Sequence, residues 1–166
     1  MKLHRTIPLA LVAAGLACAA QPALDAQAAF ARLKSLAGEW QADTSMGKSH
    51  ITYEVIAGGA TVLERETISN MHDMLTAYHL DGDRLLLTHY CMAGNQPRMQ
   101  ARRYDPKTGE LRFEFLDATN LATPQAGHMH NATLRFADST HLNADWEFYE
   151  GGHKKTQERF EYTRVR

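Results

Sequence analysis

From Gly38 to the end of the chain, apolar and polar residues alternate in short segments separated by turn-forming residues. Alternation with a period of two places every second side chain on one face of a strand, whereas a helix needs a period near 3.6. The separators Asp81-Gly82, Asp105–Gly109 and Gly151-Gly152 are residues that favour chain reversal. The pattern therefore predicts consecutive antiparallel strands without helices between them.

About ten strands are predicted in this all-β region. They lie near Glu39–Asp43, Ser49–Ile56, Ala60–Ser69, Met74–Leu80, Arg84–Cys91, Arg98–Tyr104, Glu110–Leu116, His128–Phe136, Leu142–Glu150 and His153–Val165. Short connections favour pairing between consecutive strands, and closure of the sheet removes its unpaired edges. We therefore expect an antiparallel up-and-down β-barrel of about 8–10 strands.

One helix is predicted before the strands. Asp25 is a suitable N-cap, the apolar residues from Leu24 to Leu36 follow helical spacing, and Gly38 ends the helix. The folded domain is therefore expected to span residues 24–166.

The first 20 residues have the features of a secretory signal peptide. Lys2 and Arg5 give a positive start, and Ile7–Ala20 is an apolar run that ends among small residues and is too short to span a bilayer. Cleavage is expected after Ala20, or as late as Ala28, with export to the periplasm or the exterior. Lipid attachment at Cys18 is less favoured, because Gly15 stands where lipoprotein signals usually carry a large aliphatic residue.

The charge balance argues against a nucleic-acid partner. Lys and Arg total 18 and Asp and Glu total 19, which gives a formal net charge of -1. A chain without a basic excess cannot neutralise many phosphates. We therefore expect no nucleic-acid binding. We also expect no membrane span, because the apolar run Ile7–Ala20 is too short for one.

The segment Phe30–Trp40 resembles the opening of the lipocalins and the wider calycin superfamily, in which a short helix leads into Gly-x-Trp, here Gly38 and Trp40. The stretch Tyr78–Met99 is similar to exported bacterial proteins of a domain-of-unknown-function family with a lipocalin-like barrel. The resemblance implies that Arg164, on the last strand, packs across Trp40 as a cation–π contact. It also implies a barrel that is closed at the Trp40 end and open at the other.

An up-and-down topology collects several polar and aromatic residues near the open end. The candidate ligand-binding residues are His72, His89, Cys91, Arg98, His128, His130, Trp146, Phe148 and Glu150. Strand parity places His128 and His130 on the apolar face of Leu134, which should point inward. Pairing of Leu80 with Asp83 around the Asp81-Gly82 turn would set Met74 across from His89.

Three functions fit these residues. The leading hypothesis is an exported barrel that binds a small, mostly apolar ligand at its open end, without a cofactor. The first alternative is a metal- or haem-binding barrel, since His128 and His130 have the spacing of some zinc ligands and His89 would be a third. The second is an enzyme with a histidine general base at the barrel mouth.

Overall fold

The computed structural model describes residues 24–69 and 71–165, and confirms the predicted antiparallel barrel with a short N-terminal helix. The proposed signal peptide and Cys18 lie outside the described residues. The elements are α1 (Ala26–Lys34), β1 (Gly38–Thr44), β2 (Gly47–Ile56), a 3₁₀ turn (Ala57–Gly59), β3 (Thr61–Ile68), β4 (Met74–Asp81), β5 (Arg84–Tyr90), β6 (Gln96–Asp105), β7 (Glu110–Thr119), β8 (His128–Phe136), β9 (His141–Glu150) and β10 (His153–Arg164). No helix in the described ranges is long and apolar enough to cross a membrane.

All ten strands pair with their neighbours in sequence, and β1 pairs with β10 to close the barrel. The closing contact is short, with Trp40 opposite Arg164 and Gln41 opposite Thr163. Because consecutive strands run in opposite directions, the start of β1 and the end of β10 lie at the same end of the barrel. The turns that follow β1, β3 and β5 lie at the other end, which we call the mouth.

Helix α1 closes the barrel end opposite the mouth. The Asp25 carboxylate accepts a hydrogen bond from the Ala28 N–H at 2.9 Å, which caps the first turn of the helix. Phe30 and Leu33 are buried, and the helix contacts β4, β5 and β6. The apolar face of α1 thus forms a plug across this end.

Trp40 and Arg164 complete the closed end, as the sequence predicts. The Arg164 guanidinium lies over the Trp40 ring, 4.2 Å from its centroid. It also donates hydrogen bonds to the carbonyl oxygens of Ser35 at 2.8 Å and Ala37 at 2.7 Å. The indole N–H of Trp40 donates to the Leu36 carbonyl at 2.8 Å. One arginine therefore ties the last strand to the helix C-terminus and to the first strand.

The register between β4 and β5 differs from the predicted one. Leu80 pairs with Leu85 rather than with Asp83, because Gly82 and Asp83 form the turn and Asp81 is already paired with Arg84. Gly82 has φ +62°, a conformation that favours glycine. The two-residue shift preserves which side chains face inward, but it sets Thr76, not Met74, across from His89.

Candidate functional site

An apolar pocket of about 320 Å³ opens at the mouth of the barrel. It is lined by Met46, Ile68, Met71, Met74, Cys91, Met92, Ala93, Met129, Phe148, Thr156 and Glu158. These residues come from the mouth turns and from the adjoining ends of β3, β4, β8, β9 and β10. Thioether side chains are unbranched and adaptable, so they can follow ligands of different shapes.

Close packing between the connecting segments shapes the rim of this pocket. A Cβ on Gly47 would lie 2.1 Å from the Ser69 Oγ, so the β1–β2 turn packs directly on the segment after β3. A Cβ on Gly127 would lie 2.6 Å from the Phe148 ring, which holds that ring against the segment before β8. A side chain at Gly47 would displace Ser69, and one at Gly127 would displace the Phe148 ring of the pocket wall.

Beneath the pocket, the inward face of the barrel becomes polar. Alternation along each strand places Glu66 next inward from Ile68, His89 next inward from Cys91, and Trp146 next inward from Phe148. The His89 and Trp146 rings lie 5.0 Å apart between centroids. We use the name polar floor for six neighbouring residues: Glu64, Glu66, Thr76, His89, Trp146 and Glu158, which pairs with Trp146.

Glu64 is the most deeply buried acid of the polar floor. Tyr78 donates a hydrogen bond to its Oε2 at 2.6 Å, and Thr76 donates to its Oε1 at 3.4 Å. Burial raises the pKa of Glu64 from its ordinary 4.5 to about 7, against the opposing effect of these donors. The carboxyl group is therefore partly protonated near neutral pH.

Glu66 and Glu158 extend the acidic character towards the pocket. Glu66 accepts hydrogen bonds from Ser49 and Tyr162, both at 2.7 Å. Burial raises the pKa of Glu66. The pKa of Glu158 is also raised, mainly by burial and to a smaller extent by repulsion from Glu66. Since Glu158 lines the pocket, the polar floor and the pocket share one wall.

His89 is buried with one ring nitrogen unsatisfied. Its Nδ1 lies 3.0 Å from the Thr76 Oγ1, whereas its Nε2 has no hydrogen-bond partner among the described residues. Burial lowers the pKa of His89 to about 4, so the ring is neutral near pH 7. The Tyr53 hydroxyl is also buried, and Tyr53 pairs with Glu64 between β2 and β3.

Four of the nine candidate ligand-binding residues lie at the pocket or directly beneath it. Cys91 and Phe148 line the pocket, and His89 and Trp146 belong to the polar floor. Burial raises the pKa of the Cys91 thiol, which disfavours the thiolate needed for nucleophilic attack.

Neither His128 nor His130 lines the pocket, and a bulge interrupts β8 between Met129 and Asn131. His128 pairs with Tyr149, and Met129 pairs with Phe148. Paired residues share a face, so the extra residue places Met129 in the pocket and His128 on the opposite side. His130 stacks on Tyr149 at 4.0 Å between ring centroids.

The other three candidates lie away from the pocket. Arg98 pairs with Thr88, which faces away from the interior between Leu87 and His89, and its guanidinium forms a two-point ion pair with Asp117. His72 and Glu150 are exposed. None of the three is among the pocket-lining residues.

The metal alternative lacks an assembled ligand set. His128 Nε2 and His130 Nδ1 are joined by a hydrogen bond of 2.9 Å, and His89 instead contacts Thr76 and Trp146. Over residues 24–69 and 71–165, no group of three or more His, Cys, Asp or Glu side chains is arranged to hold a metal ion.

The acids of the polar floor and the methionines were not predicted from the sequence. In β3, Glu64 and Glu66 have the same parity as Val62 and Ile68, which is an apolar face. Two acids at the positions of β3 that otherwise carry inward-facing apolar residues were the sequence feature that could have identified the polar floor. The methionines gave a weaker signal: four of the five pocket methionines are in or next to the mouth turns, and Met129 is the second residue of β8.

Comparisons with known proteins support the barrel. No family model matches the chain, and no curated protein matches it. Among solved structures, it is similar to Rv2717c from M. tuberculosis, with a TM-score of 0.55 and 14% sequence identity over 83% of this chain and 98% of that one. At this identity the likeness shows a shared fold.

Proposed function

We propose that this protein is an exported, lipocalin-like barrel that binds one small, mostly apolar ligand at its mouth. The observation that carries the proposal is the apolar pocket of about 320 Å³, which lies at the lower end of the size range of small-molecule sites. The wall is mostly thioether and aliphatic, with an aromatic ring in Phe148. Such a wall favours ligands by burying their apolar surface.

Two features support the lipocalin and export components of the proposal. The contact of Arg164 with Trp40 has the form expected from the resemblance. The capped helix that begins at Ala26 favours cleavage after Ala20 over cleavage after Ala28, because the later site would remove Asp25 and its hydrogen bond. N-terminal sequencing of the protein from the periplasm or medium tests the predicted export and cleavage site. A lipid-modified Cys18 as the first residue would contradict this prediction.

Catalysis with His89 as a general base is the weaker hypothesis. Burial lowers its pKa to about 4, so the imidazole is a poor base near neutral pH. The Cys91 thiol is shifted away from its reactive form by the same burial. His89 and Cys91 are accordingly poorly suited to taking a proton from a substrate.

A neutral fluorescent probe, N-phenyl-1-naphthylamine, tests the binding function. We expect its fluorescence to rise on addition of the protein. Energy transfer should come from Trp146, which is observed alone in a Trp40→Phe background because the chain has two tryptophans. Met74→Gln adds polarity to the pocket at nearly constant volume and should weaken probe binding by about tenfold.

Leu116→Gln is the matched control for this experiment, because Leu116 is an exposed strand residue outside the pocket. It should leave probe binding unchanged. Absence of probe binding to the wild type, or equal losses in Met74→Gln and Leu116→Gln, would contradict the proposal.

A further inference from the structure

The polar floor contains acids without an internal cation. Glu64 and Glu66 are buried, and Glu158 lies half-buried at the pocket wall. The side chains that donate hydrogen bonds to the two buried acids are neutral hydroxyls of serine, threonine and tyrosine. No lysine or arginine of the described chain forms an ion pair with any of the three. A buried carboxylate without a counter-charge is costly.

The hydrogen bonds of the polar floor leave an acceptor unpaired. When Glu64 is ionised, Thr76 donates its hydroxyl hydrogen to that carboxylate, and the Thr76 oxygen then accepts from His89 Nδ1. In the neutral ring, Nε2 then carries a lone pair rather than a hydrogen. Because this lone pair is buried and has no partner in the described residues, it adds a third acceptor to those of Glu66 and Glu158.

We propose that the ligand of this pocket is a small organic amine, whose protonated nitrogen binds to the acceptors of the polar floor while its apolar body occupies the methionine-lined pocket. This inference rests on the proposed binding function and specifies its ligand class. A primary ammonium has three N–H donors, which matches the acceptors of Glu66, Glu158 and His89.

The position of Trp146 also fits a cationic ligand. Trp146 pairs with Glu158 on neighbouring strands, and its ring lies 5.0 Å from that of His89 between centroids, so it borders the same acceptors. An indole face attracts a cation through its quadrupole. Removal of the ammonium from water is thus offset by charge pairing, hydrogen bonds and the aromatic ring together, whereas a carboxylate ligand would meet only repulsion.

Three probes of similar shape test the ligand class: 2-phenylethylamine, 2-phenylethanol and 3-phenylpropanoate. Calorimetry near pH 7.5, where the amine is protonated, should show binding of the amine at least about tenfold tighter than that of the alcohol. The carboxylate should bind weakest.

Glu158→Gln is the decisive variant, because this residue is at the pocket wall and its replacement does not disturb the buried core. It should abolish the preference for the amine and retain binding of the alcohol. Glu66→Gln should act in the same direction in folded protein, as judged by its thermal transition. Glu161→Gln is the matched control, because Glu161 is exposed on the same strand and should leave the preference unchanged.

The outcomes separate the inference from the function on which it rests. Equal binding of the amine and the alcohol by the wild type would overturn the amine inference and leave the apolar binding function standing. A preference for the amine that survives both Glu158→Gln and Glu66→Gln would also overturn it. Failure of all three probes and of N-phenyl-1-naphthylamine would overturn the binding function itself.

Discussion

The closed end and the mouth of this barrel satisfy their polar groups in opposite ways. At the closed end, the indole N–H of Trp40 and the guanidinium of Arg164 all reach backbone carbonyls, and α1 fills the remaining space. Beneath the mouth, His89 Nε2 is buried without a partner in the described chain. A filled and satisfied end contributes to stability, and an unsatisfied, open end is available for a ligand.

The difference is also one of side-chain type. The closed end uses rigid aromatic and aliphatic groups such as Trp40, Phe30 and Leu33, all buried. The mouth uses methionines, of which Met46 is 37% exposed and Met92 is 48% exposed. Well-ordered packing gives a defined structure, whereas flexible thioethers leave room for an occupant. We therefore expect substitutions at the closed end to change stability and those at the mouth to change binding.

The largest effect is expected from Trp40→Ala, which empties the buried aromatic site of the closed end. Its cost should be about 3–5 kcal/mol in the free energy of unfolding, measured by urea denaturation. Phe148→Ala, at the mouth, should cost less than half as much, because one side of its ring already faces a cavity. Equal costs would show that the mouth is packed as firmly as the closed end.

The second effect is a pH dependence that arises from the polar floor. Because the pKa of Glu64 is raised from 4.5 to about 7, the folded chain holds a proton that the unfolded chain has released between these values. The free energy of unfolding therefore falls as the pH rises through this window, by about 3 kcal/mol in total. His89 has the opposite sign, since its pKa is lowered from 6.5 to about 4.

Comparison of the wild type with Glu64→Gln separates the two groups. Urea unfolding from about pH 5 to about pH 8 should show the wild type losing stability relative to the variant as the pH rises. His89 is present in both proteins and cancels from the difference. A difference that stays constant over this range would mean that Glu64 titrates near its ordinary pKa.

The coupling of Trp40 with Arg164 is a smaller effect, of about 1 kcal/mol. Arg164→Ala should destabilise the wild type, and it should cost less when Trp40 is already alanine, because the ring under the guanidinium is gone. A double-mutant cycle by chemical denaturation measures this term. Strictly additive costs would show that the hydrogen bonds of Arg164, rather than its contact with the ring, carry its contribution.

The smallest effect on binding is expected for His130→Ala. Its ring stacks on Tyr149, across the sheet from Phe148, so binding of N-phenyl-1-naphthylamine should change by less than about twofold. If His130→Ala weakened binding of the probe as much as Met74→Gln does, His130 would have to contribute to the binding site, which would contradict its position outside the pocket.

Alternation, turn residues and short connections were enough to predict ten antiparallel strands, their closure and the position of the mouth. These features are local, and a period of two along a strand survives in almost any barrel. The contact between Trp40 and Arg164 was predicted from the family resemblance, since the two residues are far apart in sequence. The placement of Cys91 and Phe148 at the mouth followed from topology alone.

The orientation of His128 and His130 could not be obtained from alternation, because one bulged residue reverses the face of all residues on its far side. The bulge in β8 depends on pairing with β7 and β9, which is not encoded in the pattern of β8 alone. The polar floor likewise depends on contacts between strands. Glu64 and Glu66 are acids on an apolar face of β3. They can be buried there because hydroxyl groups from three other strands donate hydrogen bonds to them, namely those of Ser49, Thr76, Tyr78 and Tyr162. Local alternation thus set the strands and the barrel, while long-range pairing set which groups meet inside it, because the energy of a buried charge depends on neighbours that are distant in the chain.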